Sequence, residues 1–183
     1  MTSNIKSIST VAMLITTPIA FAAVNPVRLI KTKFVTLPRP NPIKAMNSPA
    51  MKMYDKTALM FSQKQVWIMV KSGPSNDMLS YRIDGIRNPK LLVRPGAILH
   101  ILFVNADDDM KHDLRVAPYQ PGMNAHVPPT LGVGTQELPP HGKKVFYAEW
   151  ITLKMPKTKG EFEYLCTVKG HAPGGMFGYI SVK

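Results

Sequence analysis

The stretch CTVKGHAPGGM, residues 166–176, decides how this chain is interpreted. It places Cys166, the only cysteine in the chain, five positions before His171, and it places Met176 five positions after that histidine. Thiolate, imidazole and thioether groups are the donors that select copper, and a trigonal site of two histidines and one cysteine with a weak axial methionine is their electron-transfer form. The spacing therefore predicts a copper site that needs a second histidine from elsewhere in the chain.

The segments on either side of this stretch predict β-strands. Residues 161–166 and 176–182 alternate polar and apolar side chains, which is the period of a half-buried strand. The predicted ligands then lie at a strand end, in the loop that follows and at the start of the next strand. Seventeen prolines and twelve glycines between short apolar runs favour an all-β sandwich. Further strands are predicted over 57–61, 65–71, 78–84, 90–94, 97–104, 112–117 and 143–151.

His112 is the candidate for the second histidine, because it follows the predicted strand 97–104 and a short loop. The other three histidines outside the motif match no ligand position. His100 lies in mid-strand and is predicted to face the core or one side of a sheet, whereas His126 and His141 lie in the Pro- and Gly-rich stretch 118–142.

The sequence resembles the cupredoxins, and within them the rusticyanin-like group, in YLCTVKGHAPGGMFGYISVK at its end and in NPKLLVRPGAILHILFVNADDDMKHDLRV further upstream. The resemblance implies a Greek-key β-sandwich over residues 54–183. It also implies one mononuclear type 1 copper as the only cofactor, in a chain that is not an enzyme. The ligands implied are His112, Cys166, His171 and Met176.

Asn105 and Asp113 are candidates for hydrogen-bonding the ligand residues. In much of the family Asn or Ser follows the first histidine ligand, and Asp113 stands there in this chain. An ionised carboxylate at that place would stabilise Cu(II), whereas a protonated one would act as a neutral hydrogen-bond partner. The third interpretation is that Asp113 is an ordinary aspartate on the protein surface.

The resemblance also implies which partners the chain meets. The chain looks like the membrane-associated cupredoxin that accompanies a terminal oxidase in acid-living iron oxidisers. The expected role is a periplasmic carrier of single electrons between respiratory partners such as cytochrome c and a terminal cytochrome oxidase. The alternatives are an accessory subunit that stabilises an oxidase complex, and a copper storage or delivery protein, which would need a more open site.

The composition of the chain further limits the partners and the kinds of copper centre that can be expected. The net charge is +12, from 23 Lys and Arg residues against 11 Asp and Glu residues, which suits nucleic acid, an anionic membrane or an acidic redox partner. The basic residues are scattered and no nucleic-acid motif is present, so nucleic acid is not expected. A single cysteine excludes an intramolecular disulfide and a binuclear copper centre built on two cysteines. The chain also lacks the His-x-His pairs that a multicopper oxidase needs.

The amino terminus predicts export. Residues 7–27 carry no charged side chain, are largely apolar and contain the A-x-A sequence Ala20-Phe21-Ala22. This pattern fits a signal peptide cleaved after Ala22, and it fits equally a short uncleaved anchor that associates the protein with the membrane. The predicted organisation is a signal or anchor over 1–27, a linker or extension over 28–53, with a short helix that starts at 44–46, and the cupredoxin domain over 54–183.

The loop that carries His171 is the predicted exit for electrons. Its remaining residues Ala172, Pro173, Gly174 and Gly175 are small and uncharged, and they are predicted to form an exposed rim around the histidine. Residues 121–129 either add apolar side chains to this rim or form an ordinary Pro-rich loop. An exposed apolar patch with a polar margin is typical of an interaction site.

Overall fold

The computed structural model describes residues 27–39, 48, 51–53, 57–74, 76–119 and 132–183. This part of the chain contains thirteen β-strands and no helix. The strands are β1 Arg28–Pro38, β2 Met51–Met53, β3 Ala58–Phe61, β4 Gln65–Ser72, β5 Tyr81–Ile83, β6 Ile86–Arg87, β7 Lys90–Val93, β8 Ile98–Asn105, β9 Arg115–Pro118, β10 Val133–Gly134, β11 Val145–Lys154, β12 Gly160–Leu165 and β13 Phe177–Val182.

The strands form two mixed sheets, which confirms the prediction of an all-β sandwich. One sheet has the order β1-β11-β8-β4-β5-β6, and the other has the order β10-β9-β12-β13-β7-β3-β2. β4 runs parallel to β8, and β7 runs parallel to both β3 and β13, whereas the other pairs are antiparallel. Strands that are distant in sequence therefore lie side by side, and residues from separate parts of the chain meet at each end of the sandwich.

The core lies between the two sheets and is built from alternate residues of the strands. On β8, Leu99, Ile101 and Phe103 are at most 2% exposed and face the opposite sheet, where Phe162 and Tyr164 of β12 are buried to the same degree. Each large apolar side chain buried in this way contributes about 1.5–3 kcal/mol. The intervening residues of β8 face outward, where Leu102 and Val104 join a smaller apolar cluster with Met69 and Ala148.

Residues 28–38 differ from the predicted linker, because they form the long edge strand β1. This strand pairs antiparallel with β11, and Thr32 lies opposite Ile151. Most of its residues are exposed, so the strand lacks the alternation of buried and exposed residues by which a half-buried strand is identified. The pairing partner lies more than 100 residues away in the chain, and only the folded sheet brings the two segments together.

Two predicted strands are shorter in the structure. The strand predicted over 78–84 is limited to β5, and the strand predicted over 112–117 begins at Arg115 as β9. His112 makes only an isolated bridge with Leu138, so it lies just before the sheet rather than in it. This difference matters for the site, because a residue outside the ladder is free to direct its side chain inward.

Several predictions concern residues outside the described part of the chain. They are the signal or anchor segment apart from Val27, the start of a short helix at 44–46, His126, and the rim candidates in 121–129. Among the residues that the structure does describe, no helix has the length and apolar character needed to cross a membrane.

Candidate metal centre

One end of the sandwich collects the predicted ligands. β12 ends at Leu165, directly before Cys166, and β13 begins at Phe177, directly after Met176. Leu165 lies opposite Phe177, and the Cys166 amide donates to the Met176 carbonyl at 3.1 Å. The two sulfur-bearing residues are therefore held side by side at the open end of one antiparallel pair.

His112 reaches the same end through a different strand. β9 pairs with β12, and its first residue, Arg115, lies opposite Leu165. His112 precedes Arg115 by three positions, and two backbone hydrogen bonds with Leu138, at 3.1 and 2.7 Å, fix its position. The long-range register of the sheet thus places His112 next to Cys166.

The loop between the two sulfur ligands is a series of tight turns. The amide of His171 donates to Val168, and the amide of Met176 donates to the His171 carbonyl, each at 3.0 Å. Gly170 and Gly175 adopt φ angles of 88° and 107°, a region that side chains other than glycine rarely enter. These glycines let the chain reverse direction twice while His171 points back toward Cys166.

The donor atoms of three ligand candidates converge. The Cys166 Sγ lies 3.9 Å from His112 Nδ1 and 3.5 Å from His171 Nδ1, and the two Nδ1 atoms are 3.1 Å apart. A point equidistant from all three atoms lies about 2 Å from each, which is the length of a bond from imidazole nitrogen or thiolate sulfur to a first-row metal ion. The residues present therefore fit a single mononuclear metal ion.

All four candidates are withdrawn from solvent. Cys166, His112 and Met176 are 0% exposed and His171 is 8% exposed. Burial raises the pKa of the Cys166 thiol to about 12, so the thiol stays protonated at neutral pH until a metal cation displaces the proton. Burial, followed by the neighbouring His112, lowers the pKa of His171, which keeps this imidazole in the neutral form that binds metals.

Asp107 is a site residue that the sequence analysis missed. Its Oδ2 lies 3.0 Å from His112 Nε2, and both side chains are 0% exposed. Although burial alone would raise it, the pKa of Asp107 is lowered to about 2 by hydrogen bonds from the Asp109 backbone and from His112. Asp107 is the first of three consecutive aspartates, and nothing in the sequence distinguishes it from the other two.

Asn105, which was predicted to bond a ligand, shapes the ligand-bearing loop instead. Its side-chain oxygen accepts from the Ser72 hydroxyl at 2.9 Å, which ties the loop to β4. Its amide nitrogen donates to the backbone carbonyls of Met110, Leu138 and Pro139 at 2.9, 3.1 and 2.8 Å. The buried Asn105 thus links the segment before His112 to the segment that pairs with it.

Asp113 is buried, 2% exposed, and is not a surface aspartate. One carboxylate oxygen accepts from the backbone amide of Thr167 at 2.6 Å, and the other accepts from the Thr167 hydroxyl. Its own carbonyl accepts from the Tyr81 hydroxyl at 2.5 Å. Because Thr167 follows Cys166 directly, Asp113 fastens the histidine segment to the cysteine segment.

The remaining described histidines lie away from this cluster, as predicted. His100 projects from a sheet face and stacks on Trp67, with 4.6 Å between ring centroids. The His141 ring contacts the Arg39 guanidinium at 2.7 Å. Neither contributes a donor atom to the centre.

The rim around His171 is only partly as predicted. Ala172 is 0% exposed, so its predicted place on the surface is wrong, because the tight turn directs its methyl group inward. Pro173 and Gly174 are exposed, and a Cβ atom on Gly174 would meet Leu79 at 2.3 Å. The exposed part of the predicted rim is therefore Pro173 and Gly174, while Gly175 is half-buried and Leu79 lies against Gly174.

Comparisons with known proteins agree with this geometry. No protein-family description matches the chain. Rusticyanin from Acidithiobacillus ferrooxidans is 28% identical over 155 residues, covering 82% of this chain and 96% of that protein. Rusticyanin from Acidithiobacillus ferridurans is 27% identical over 155 residues, covering 82% of this chain and 79% of that protein.

Solved structures give the same result. Reduced rusticyanin at 1.9 Å superposes with a TM-score of 0.68 and 22% identity, covering 82% of this chain and 100% of that one. The 1.27 Å structure of rusticyanin from Thiobacillus ferrooxidans also has a TM-score of 0.68, with 24% identity, and covers 84% of this chain and 99% of that one.

The fold and the convergent donor set define a cupredoxin-like type 1 copper protein, and proteins of this class are electron carriers rather than enzymes. Within the class, the chain is close to rusticyanin. The predicted fold and the predicted cofactor, a single type 1 copper, are confirmed.

Proposed function

We propose that this protein carries single electrons between respiratory-chain partners on a copper ion bound by His112, Cys166, His171 and Met176. The observation that carries the proposal is the convergence of two imidazole nitrogens and one thiol sulfur within 3.9 Å, sealed from solvent at one end of a sandwich. An electron needs no opening to reach a buried centre, whereas a substrate or an exchanging metal ion does. Burial of the site therefore favours electron transfer over catalysis and over copper delivery.

Each ligand has a distinct task in this account. The bound copper supplies a one-electron couple. The Cys166 thiolate and the two histidines would hold the copper, and Met176 would offer a weaker thioether donor. Met176 is buried and its amide is bonded to His171, so its position is set by the same turn that sets the histidine. Strand ends and turns fix the positions of these residues in the protein itself, so little rearrangement is expected when a bound copper changes its oxidation state.

The proposed partners are redox proteins, cytochrome c and a terminal cytochrome oxidase, in the periplasm. The net charge of +12 favours an acidic docking surface on a partner. The similarity to rusticyanin and the apolar segment 7–27 support export, and that segment would act either as a cleaved signal or as a membrane anchor.

The proposed exit for electrons is the edge of His171, framed by Pro173, Gly174 and Leu79. His171 is the most exposed of the four residues at 8%, and the rim residues Pro173 and Gly174 beside it carry no charge, while the Arg87 guanidinium approaches Gly175. Pro173 has no backbone N–H, and the turn bonds on either side belong to other residues, so Pro173→Glu adds a charge to the rim without removing a hydrogen bond.

The test measures electron transfer from the reduced copper protein to ferricytochrome c by stopped-flow absorption. Pro173→Glu should slow the transfer several-fold while the copper spectrum stays unchanged. Ser62→Glu adds the same charge to an exposed turn at the opposite end of the sandwich and should leave the rate near that of the parent. No electron transfer by the parent protein would contradict the proposed function, and equal rates for the two variants at several ionic strengths would contradict the proposed exit.

A further inference from the structure

The contact between Asp107 and His112 restricts how the histidine meets a metal. The Asp107 Oδ2 lies 3.0 Å from Nε2 of the ring, while Nδ1 of the same ring faces His171 Nδ1 at 3.1 Å and Cys166 Sγ at 3.9 Å. A neutral imidazole has one N–H donor and one lone pair. When Nε2 donates its hydrogen to the carboxylate, the lone pair is left on Nδ1, where the other donors converge.

The carboxylate is itself held in place by the loop. Its second oxygen, Oδ1, accepts from the backbone amides of Asp109 and Met110 at 3.0 and 3.1 Å. The backbone carbonyl of Asp107 accepts from the His141 amide at 2.8 Å. Asp107 therefore cannot rotate away from the ring without breaking two hydrogen bonds of its own side chain.

No Lys or Arg side chain in the described part of the chain forms a salt bridge with Asp107. The neighbouring cation Lys111 is bonded to Glu137 at 2.5 Å. Arg82 and Arg87 pair with Asp77, and Lys90 pairs with Glu161. The group that Asp107 Oδ2 contacts is Nε2 of His112, so the charge of the carboxylate acts on that ring and on whatever the ring binds. A charge with 0% exposure is weakly screened, so its field reaches the donor cluster across the width of one ring.

We propose that Asp107 is a positioning residue that presents His112 Nδ1 to the copper and that lowers the reduction potential of the site. Reduction removes one positive charge from the metal, and a fixed negative charge nearby favours the state with more positive charge. A carboxylate bonded to a ligating histidine also makes the ring more basic, which acts in the same direction. The inference rests on the proposed function, because it takes His112 as a copper ligand.

The first test is a redox titration of the copper-loaded Asp107→Asn protein. Asparagine keeps the shape and an acceptor oxygen toward Nε2 but removes the charge. At a fixed applied potential the ratio of reduced to oxidised copper should rise at least about tenfold, which for a one-electron couple is a shift of about +59 mV. Asp108→Asn is the matched control, because it removes the same charge from an exposed neighbour in the same loop and should change the ratio less than about threefold.

The second test needs no copper and no variant. In the metal-free parent protein, nitrogen chemical shifts of the His112 ring should show one tautomer with hydrogen on Nε2. A ring with hydrogen on Nδ1 would overturn the positioning role. Equal shifts of the potential in the Asp107 and Asp108 variants would overturn the charge effect. An absent thiolate-to-copper band in the parent would instead contradict the proposed function, so the two failures are distinguishable.

Discussion

The interior between the sheets and the ligand end of the sandwich are buried to the same degree but differ in chemistry. In the interior, Leu99, Phe103 and Ile151 are 0% exposed and pack against other apolar side chains. At the ligand end, Asp107 and His112 are also 0% exposed, yet both are polar. Burial stabilises the first region in proportion to apolar area, whereas in the second it costs free energy unless every polar group has a partner.

The difference shows how the fold separates stability from function. The ligand end offsets the cost of burial with hydrogen bonds. Thr167 and Tyr81 donate to Asp113, and the Asp107 amide donates to the side-chain oxygen of Asn105. The donor atoms of Cys166 and the two histidines differ from these groups, because they face one another at 3.1, 3.5 and 3.9 Å. A metal ion is the partner that this arrangement accommodates, so the ligand end contributes metal binding while the interior contributes stability.

The largest effect that separates the two regions is expected from Cys166→Ser. A hydroxyl is not ionised by copper as a thiol is, so the intense visible charge-transfer band should disappear and copper affinity should fall by orders of magnitude. Thermal unfolding of the metal-free variant should stay close to that of the parent. A variant that keeps the band would show that another residue supplies the sulfur.

Leu99→Ala in the interior is expected to lower the stability of the fold and to leave the copper site unchanged. Removing this 0% exposed side chain should lower the free energy of unfolding by about 2–5 kcal/mol, measured by urea denaturation. The absorption band of the folded, copper-loaded protein should keep its position and intensity. A displaced band in the folded state would mean that interior packing sets the ligand geometry, and the two regions would then not be separable.

Copper uptake should also release a proton at the ligand end. Because burial raises the pKa of Cys166 to about 12, the thiol is protonated at pH 7 and must lose its proton when the metal binds. A pH-stat measurement in weak buffer should record about one proton released per Cu(II) bound, and copper affinity should weaken as the pH falls. Uptake without proton release would show that the apoprotein already holds a thiolate.

The part of the candidate site that is local in the sequence could be predicted from residue types and spacing. Cys166, His171 and Met176 lie within eleven residues, and the strands on either side have a clear alternation, so spacing alone indicates their meeting. His112 is predicted as the second histidine ligand from its position after a strand and a loop and from the family resemblance. The folded sheet explains why His112 lies next to Cys166, because the pairing of β9 with β12 aligns the two residues.

The features that the sequence analysis missed depend on long-range structure. The edge strand β1 pairs with a segment more than 100 residues away and is exposed on both faces, so it gives no burial pattern. Asp107 differs from Asp108 and Asp109 only in the direction that the loop gives its side chain. The burial of Ala172 follows from the turn geometry of the ligand loop rather than from its residue type.

The smallest effect is expected from Glu163, a buried carboxylate away from the ligand end. It is 7% exposed, and no hydrogen-bond donor in the described part of the chain reaches its Oε2. Burial raises the pKa of Glu163 in the folded protein above its value in the unfolded chain. The charged form therefore destabilises the fold at a pH above the pKa of the folded protein, and this destabilisation is absent at a pH below the pKa of the unfolded chain. Glu163→Gln should therefore raise the free energy of unfolding by about 1 kcal/mol at pH 7 and leave it nearly unchanged at pH 3.

The matched control is Glu161→Gln on the same strand. Glu161 accepts from the Ser181 hydroxyl at 2.5 Å and pairs with Lys90 at 3.1 Å. Despite some burial, these partners lower its pKa, so its charge favours the folded state and the control should be neutral or slightly destabilising at pH 7. Destabilisation by both substitutions would show that Glu163 has a partner at neutral pH.

Titration of the purified metal-free protein with Cu(II), followed by visible absorption and electron paramagnetic resonance, tests the central claim most directly. We expect an intense thiolate-to-copper band that grows linearly and stops at one copper per chain, with a single copper signal. Weak, nearly colourless binding, or a signal that continues to grow beyond one equivalent, would contradict a type 1 copper site formed by His112, Cys166, His171 and Met176.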